Sequence, residues 1–274
     1  MRKHLLVVES CGLSHVGPVR TNNQDAIYLP NRHSLPWMGQ LFVVADGMGG
    51  YAHGALASSL AIEKLIEALP VGDRKLNLKD FRRGVEYANT SIYKTAQKLG
   101  AGKMGTTLTA AYIFEDDLQL IHVGDCRAYL IRKQRAICLT SDHTTVGDLV
   151  RTKLIKADKI RTHSQRSILT KAVGIGLFVK PDISQFALQQ NDRLILCSDG
   201  IWSVVQDDEF ARIIAESSEI DQVGRDLVDL ALGRNTDDNV SVIAIHIKDL
   251  QPVLPGKNEH TGLGWFRYRR KLVR

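Results

Sequence analysis

Five carboxylates of this 274-residue chain stand at the borders of strand-like runs, far apart in sequence but alike in setting. Leu41-Phe42-Val43-Val44-Ala45 is an unbroken apolar run that reads as a buried strand. It leads straight into Asp46, after which Gly47, Gly49 and Gly50 let the backbone turn and come close to a ligand. Leu194 to Ser198 leads into Asp199-Gly200 in the same way, and Leu118 to Val123 leads into Gly124-Asp125. Asp237-Asp238-Asn239 stands immediately before the apolar stretch Val240 to Ile245, and Asp25 closes Arg20-Thr21-Asn22-Asn23-Gln24. One Asp-Gly pair is an ordinary turn former. A device repeated at this many strand boundaries points instead to convergence at one sheet edge. Carboxylates and turning backbone carbonyls gathered there suit a hard divalent cation.

The segments carrying these residues form a series: Arg-x-x-Asn-Gln-Asp at 20–25, Asp-Gly-Met-Gly-Gly at 46–50, Gly-Thr-Thr at 105–107, Gly-Asp-Cys-Arg at 124–127, Asp-His-Thr at 142–144, Ser-Asp-Gly at 198–200 and Asp-Asp-Asn at 237–239. In content, order and approximate spacing, over about residues 8–248, the series resembles the metal-dependent protein phosphatases of type 2C, above all their bacterial members. The resemblance implies an α+β fold of two packed antiparallel β-sheets flanked by helices, an α-β-β-α sandwich with the carboxylate edge in the cleft between the sheets. It implies two Mn²⁺ or Mg²⁺ ions, with a third in the bacterial branch, and an activated water that attacks phosphorus directly with no covalent enzyme intermediate. In that scheme Asp46 bridges two ions with the Gly47 carbonyl on one of them, Asp199 and Asp238 hold the first, and Asp25 acts near the pair through water. Asp125, with Asp199, matches the third position. Arg20 matches the phosphate-binding arginine, whose planar fork suits two phosphate oxygens, and Asn239 supports the Asp238 end.

The chain departs from the family at several positions. Met48 stands where eukaryotic members carry a histidine credited with protonating the leaving oxygen, and Met48 cannot donate a proton. His53 is nearby, but a lone histidine in a glycine-rich loop is more often structural. Gln24 replaces a common glutamate and brings no charge. Cys126 stands where serine is frequent; a small tolerated side chain is the plain reading, and a redox-sensitive thiol next to Asp125 is the sharper one.

Composition bounds the rest. A hydrophobic fraction of 44% and a charged fraction of 24% are ordinary for a globular protein. No apolar run is long enough for a membrane helix, and the Met1-Arg2-Lys3-His4 start precedes too short an apolar stretch for a signal peptide. Cys11, Cys126, Cys138 and Cys197 have no paired spacing, which fits reduced, buried thiols in a cytoplasmic protein. The net charge of +6 is concentrated at the end: residues 251–274 hold six cations against Glu259, so the preceding 250 residues are nearly neutral. That distribution argues against a nucleic-acid face. We therefore read a phosphatase domain at 1–250 and a basic tail at 251–274. The mixed aromatic and basic stretch 264–274 suits weak contact with a membrane surface or an acidic partner, or simple solvation.

Positioning the carboxylates requires strands near 5–16, 26–29, 41–45, 107–114, 118–123, 127–132, 136–139, 182–188, 193–197 and 239–247. Helical apolar spacing marks 54–69, 78–99, 144–160, 207–216 and 221–232. Strand blocks separated by helix pairs, without regular βαβ alternation, give α+β. The segment 141–168 resembles the family's variable flap over the cleft, and its basic residues suit either a phosphorylated, acidic peptide or a solvated helix face. The expected activity is that of a monomeric phosphoserine/phosphothreonine protein phosphatase, and the family resemblance implies a partner serine/threonine kinase. The alternatives are a hydrolase of small phosphoesters and a catalytically weak phosphoprotein-binding scaffold.

Overall fold

The computed structural model describes residues 4–30, 39–70, 74–217 and 219–252. Alternation along the strands builds the architecture. One sheet has the order β1 (His4–His15), β11 (Val240–Pro252), β10 (Arg193–Cys197), β7 (Arg127–Arg132), β8 (Arg135–Cys138). The other runs β2 (Asp25–Tyr28), β3 (Gln40–Met48), β5 (Leu108–Phe114), β6 (Asp117–Val123), β9 (Asp182–Ala187), with the short β4 (Gly105–Thr106) paired to the end of β3. Every pairing is antiparallel.

Successive side chains of a strand point to opposite faces, and the core divides accordingly. Phe42, Val44, Ala111, Ile113 and Leu120 of one sheet meet Ala128, Leu130, Leu196, Ile243 and Ile245 of the other in a buried layer between the sheets. Val43, Ala45, Ala110 and Ile121 face outward onto α1 (Tyr51–Ala68) and α2 (Leu78–Leu99). Tyr129, Ile195, Val242 and Ala244 face α4 (Asp199–Trp202), α5 (Asp207–Glu216) and α6 (Ile220–Gly233). The result is the α-β-β-α sandwich implied by the family resemblance. α2 shows why the helices stop where they do. Asn77 caps it in a reciprocal box with Asp80, Phe81, Val85, Ala88 and Ile92 form its buried stripe, and Gly100 ends it in the left-handed conformation.

Several boundaries differ from the sequence expectation, and α1 already begins at Tyr51 rather than at Gly54. β3 continues through Asp46 to Met48, because Gly47 and Met48 pair with Thr106 and Gly105 of β4. β11 runs to Pro252, opposite His4, two residues past the expected domain boundary. The helix expected over 144–160 is only α3 (Thr145–Arg151), followed by a left-handed Lys153 and a 3₁₀ turn at Ala157–Thr162. Only Val146 and Gly147 of α3 are buried, and Leu154 is 72% exposed, so the apolar register there has no core to bury itself in. The tail expected at 251–274 lies outside the described residues beyond Pro252.

Candidate metal centre and active-site cleft

The same alternation delivers the carboxylates. Phe42 and Val44 face the layer between the sheets, so Asp46, two residues on, carries its side chain to the end of that layer. Asp25 is the direct cross-strand partner of Asp46, which places both carboxylates on one face. Asp125 immediately precedes Cys126, which is buried between the sheets; Asp199 follows β10 and opens α4; Asp238 lies just before β11. These residues meet at a cavity of about 410 Å³ whose wall includes Arg20, Asp46, Gly47, Asp125, Asp199 and Asp238. Gln24, Met48 and Thr107 also line it, and His53 is not among the lining residues. Asp25 and Asn239 are not among the lining residues.

This concentration of negative charge is electrostatically unfavourable by itself. Burial, and then the neighbouring Asp25, Asp199 and Asp125, push the Asp46 carboxyl well above the usual carboxylate range. Burial, followed by Asp125, Asp238 and Asp25, does the same to Asp199. Burial raises Asp125 to about 7, with Asp142 adding to the rise and Arg127 opposing it. Burial raises Asp25 to about 6 despite the Ser241 and Ser198 hydroxyls nearby. Ser198 Oγ donates to the Asn239 carbonyl and accepts from the Ser241 amide, and the Ser14 and Ser241 hydroxyls bond to each other. Both carboxylate oxygens of Asp25, and Oδ1 of Asp199, are buried without a hydrogen-bond partner among the described residues. Unpaired buried polar atoms are rare and call for an explanation. Oxygen-only donors, high mutual repulsion and orphaned lone pairs are what a hard divalent cation would relieve. As they stand, the described residues hold no three acidic, histidine or cysteine side chains already closed around one point. Part of the reason is visible: Asp238 Oδ2 is taken by Arg20 Nη2 at 2.7 Å, and its Oδ1 by the Asn239 amide at 2.8 Å.

Arg20 thus sits at the cavity with its fork turned to the Asp237-Asp238 pair, Nε donating to the Asp237 carbonyl at 3.0 Å. Asn239 acts more broadly than expected. Its side chain donates to the carbonyls of Val16 (2.7 Å) and Asn22 (3.0 Å) and accepts from the Gln24 amide (2.8 Å), tying the loop before β2 to the start of β11. Gln24 serves through its backbone too: its carbonyl accepts from the Gly47 amide and from Ser58 Oγ.

Several residues around the centre were given no role from sequence. Thr107 clamps Asp46 from both sides, its hydroxyl accepting from the Asp46 amide and its amide donating to the Asp46 carbonyl, each at 2.8 Å. Trp202 Nε1 donates to the Asp125 carbonyl at 2.8 Å. The Arg127 guanidinium lies 3.7 Å over the Trp202 ring and makes a buried two-point contact with Asp142 at 2.9 and 2.7 Å. The Gly-Thr-Thr and Gly-Asp-Cys-Arg segments carried the signal for Thr107 and Arg127; nothing in the sequence marked Trp202. Cys126 is buried beside Thr107, and burial together with Asp46 and Asp125 pushes its thiol far up.

Comparison with known proteins places this geometry. The model of the protein phosphatase 2C family matches residues 11–226. The chain belongs to the protein phosphatase 2C family. Among relatives, it is 33% identical over 264 residues to the serine/threonine protein phosphatase PstP of Mycobacterium tuberculosis, covering 93% of this chain but 49% of PstP. It is 29% identical over 243 residues to the protein phosphatase PhpP of Streptococcus pneumoniae, covering 86% of this chain and 96% of PhpP. The crystal structure of the PstP catalytic domain in complex with two manganese ions superposes with a TM-score of 0.76 at 31% identity, covering 89% of this chain and all of that domain. The two antiparallel sheets flanked by helices are those of other 2C-type phosphatases. Among the described residues, no helix is long and apolar enough to cross a membrane.

Proposed function

We propose that this chain is a Mn²⁺- or Mg²⁺-dependent protein phosphatase that hydrolyses phosphoserine and phosphothreonine, with residues 1–250 as the catalytic domain. The observation that carries the reading is the gathering of Asp25, Asp46, Asp125, Asp199 and Asp238 at the open end of the layer between the sheets, with Arg20 at the same cavity. Asp46 and the Gly47 carbonyl, Asp199 and Asp238 would hold two ions, and Asp125 with Asp199 a third. Bound there, the ions would supply Lewis acidity, lowering the pKa of a water and offsetting phosphate charge.

The chain's own residues do the positioning. Thr107 fixes the Asp46 backbone, and Trp202 fixes the Asp125 backbone. Asn239 holds the Arg20 loop against β11. Arg20, released from Asp238, can present its fork to two phosphate oxygens. Met48 at the cavity wall has no proton to give, so protonation of the leaving oxygen falls to water or another group. The relatives named as serine/threonine phosphatases favour protein substrates over small phosphoesters, and the complete carboxylate set opposes an inert scaffold. A cognate serine/threonine kinase, a cytoplasmic location, a monomeric state and a weak surface contact through 264–274 complete the proposal.

The test is phosphate release from a phosphothreonine peptide with and without Mn²⁺. Wild type should turn over only with the ion, and EDTA or Asp199→Asn should each abolish turnover. Turnover indifferent to Asp199 would refute the site, and tight phosphopeptide binding with no turnover under any divalent ion would leave the scaffold.

A further inference from the structure

The turn that carries Asp125 is held from several sides, and one of the holders is a histidine side chain. Gly124 is buried with a left-handed φ of +107°, and a Cβ there would meet the Thr107 Cβ at 2.5 Å. The turn is thus wedged against the residue that clamps Asp46. Trp202 holds the Asp125 carbonyl, and Asp142 holds Arg127 at the end of the turn. His143 holds its beginning. The His143 amide donates to the Gly124 carbonyl at 2.7 Å, and the ring Nδ1 accepts from the Gly124 amide at 3.1 Å.

The bond to Gly124 fixes the tautomer. An amide only donates, so Nδ1 is the accepting nitrogen and the ring proton resides on Nε2. Nε2 faces Asp182 Oδ2 at 3.1 Å, and the same carboxylate takes Lys171 Nζ at 3.0 Å. Lys171 Nζ also lies 3.2 Å from Nε2, but two donors do not bond each other, so its partner is the carboxylate. The His143 ring is buried and stacks on that of His122, with centroids 4.8 Å apart. Burial pushes His122 down to about 3 and lowers His143 too, against the pull of Asp182, so both rings are neutral at neutral pH. A neutral, oriented ring is what the Gly124 amide needs. Removing its Nδ1 would leave a buried N–H without an acceptor.

We infer that His143 is a positioning residue for the third-ion site: its Nδ1 fixes the Gly124 backbone, and with it the Asp125 carboxylate at the cavity wall shared with Asp199. This deepens the phosphatase reading and rests on it, specifically on Asp125 with Asp199 as the place of a third ion. Groups that orient a metal ligand from behind change ion affinity by about 10–100-fold when removed. The effect should be confined to one ion, because the side-chain bonds of His143 go to Gly124 and Asp182 and not to Asp46, Gly47 or Asp238.

The experiment measures Mn²⁺ binding to the full chain with no substrate present, by isothermal titration calorimetry and by the paramagnetic resonance signal of free Mn²⁺. Wild type should bind two ions tightly and a third more weakly. Asparagine can set its Oδ1 where Nδ1 stands, so His143→Asn should keep the third affinity to within about threefold. His143→Gln, whose amide lies one carbon further out toward Asp182, and His143→Leu, which has no acceptor, should each weaken the third ion by about tenfold or more and leave the first two unchanged. The Asn and Gln variants carry the comparison even where leucine costs too much stability to purify. Equal third-ion affinity in all the proteins, equal weakening by Asn and Gln, or loss of the two tight ions along with the third would overturn the inference and leave the phosphatase reading intact. Wild type binding two ions only would do the same. Wild type binding no Mn²⁺ would overturn both.

Discussion

Replacing Asp25 by asparagine should stabilise the metal-free protein and weaken its response to metal. Asp25 is held at about 6, against an ordinary value of 3.8. A displacement of this size corresponds to roughly 3 kcal/mol, at about 1.4 kcal/mol per unit. The sign follows from proton uptake. Between the unfolded and folded pKa values the native state binds more protons than the unfolded chain, so stability falls as pH rises through that window and stays low above it. Asparagine keeps the shape without the charge. In EDTA at pH 8, Asp25→Asn should therefore gain up to about 3 kcal/mol, which for a chain of this size is on the order of 5–10 °C in Tm. At pH 4.5 wild type is largely relieved of the burden, and the gain should shrink to about 1 kcal/mol or less. With saturating Mn²⁺ at pH 8 the order should reverse, because only wild type can offer both unpaired carboxylate oxygens toward the ions. Thermal unfolding by circular dichroism at the two pH values, with EDTA and with Mn²⁺, measures all of this. A variant less stable than wild type in EDTA at pH 8, or a gain that does not depend on pH, would refute the electrostatic argument.

Arg20→Lys keeps the charge but loses the fork that now spans the Asp237 carbonyl and Asp238; kcat/KM for p-nitrophenyl phosphate should fall about tenfold or more, chiefly through KM. Gly200→Ala would drive a Cβ to 1.9 Å from the Asn239 carbonyl oxygen, whereas Gly102 has open space around it. Tm should therefore collapse, or soluble yield be lost, for the first substitution and change by no more than about 2 °C for alanine at Gly102. Cys126 is buried with its thiol pushed far above the ordinary range, so the thiolate needed for oxidation is absent. Peroxide should inactivate wild type and Cys126→Ser at the same rate, and a protected variant would restore the redox reading.

The strands and the carboxylates were readable because one physical rule governs both. Apolar runs such as 41–45 and 194–197 read as buried strands, and an aspartate closing one of them, an ordinary turn former when single, becomes a signal when it recurs at several strand ends. Parity could not be read so easily. The run 41–45 is apolar at every position, because β3 is buried on both faces, and periodicity cannot say which face Asp46 joins. The pairing of Gly47 and Met48 with β4 was hidden because two residues of Gly-Thr carry no strand pattern of their own. The failed helix at 152–160 shows the converse: helical spacing without a surface to bury it stops after Arg151, and the chain turns left-handed at Lys153. Nothing local marks Trp202, whose ring nitrogen holds the Asp125 carbonyl, because that bond depends on a loop 77 residues earlier in the chain.

The bonds from Asn239 to Val16, Asn22 and Gln24, and the pairing of β11 with β1, join segments more than 200 residues apart in the chain. During synthesis the Arg20 loop emerges early and waits for a partner more than 200 residues downstream. A fragment that stops just short of Asp238 contains every strand of the second sheet but lacks β11 of the first and has no assembled centre. The chemistry is thereby withheld from any nascent chain that has not yet reached Asp238, and activity becomes a report that synthesis has passed that point.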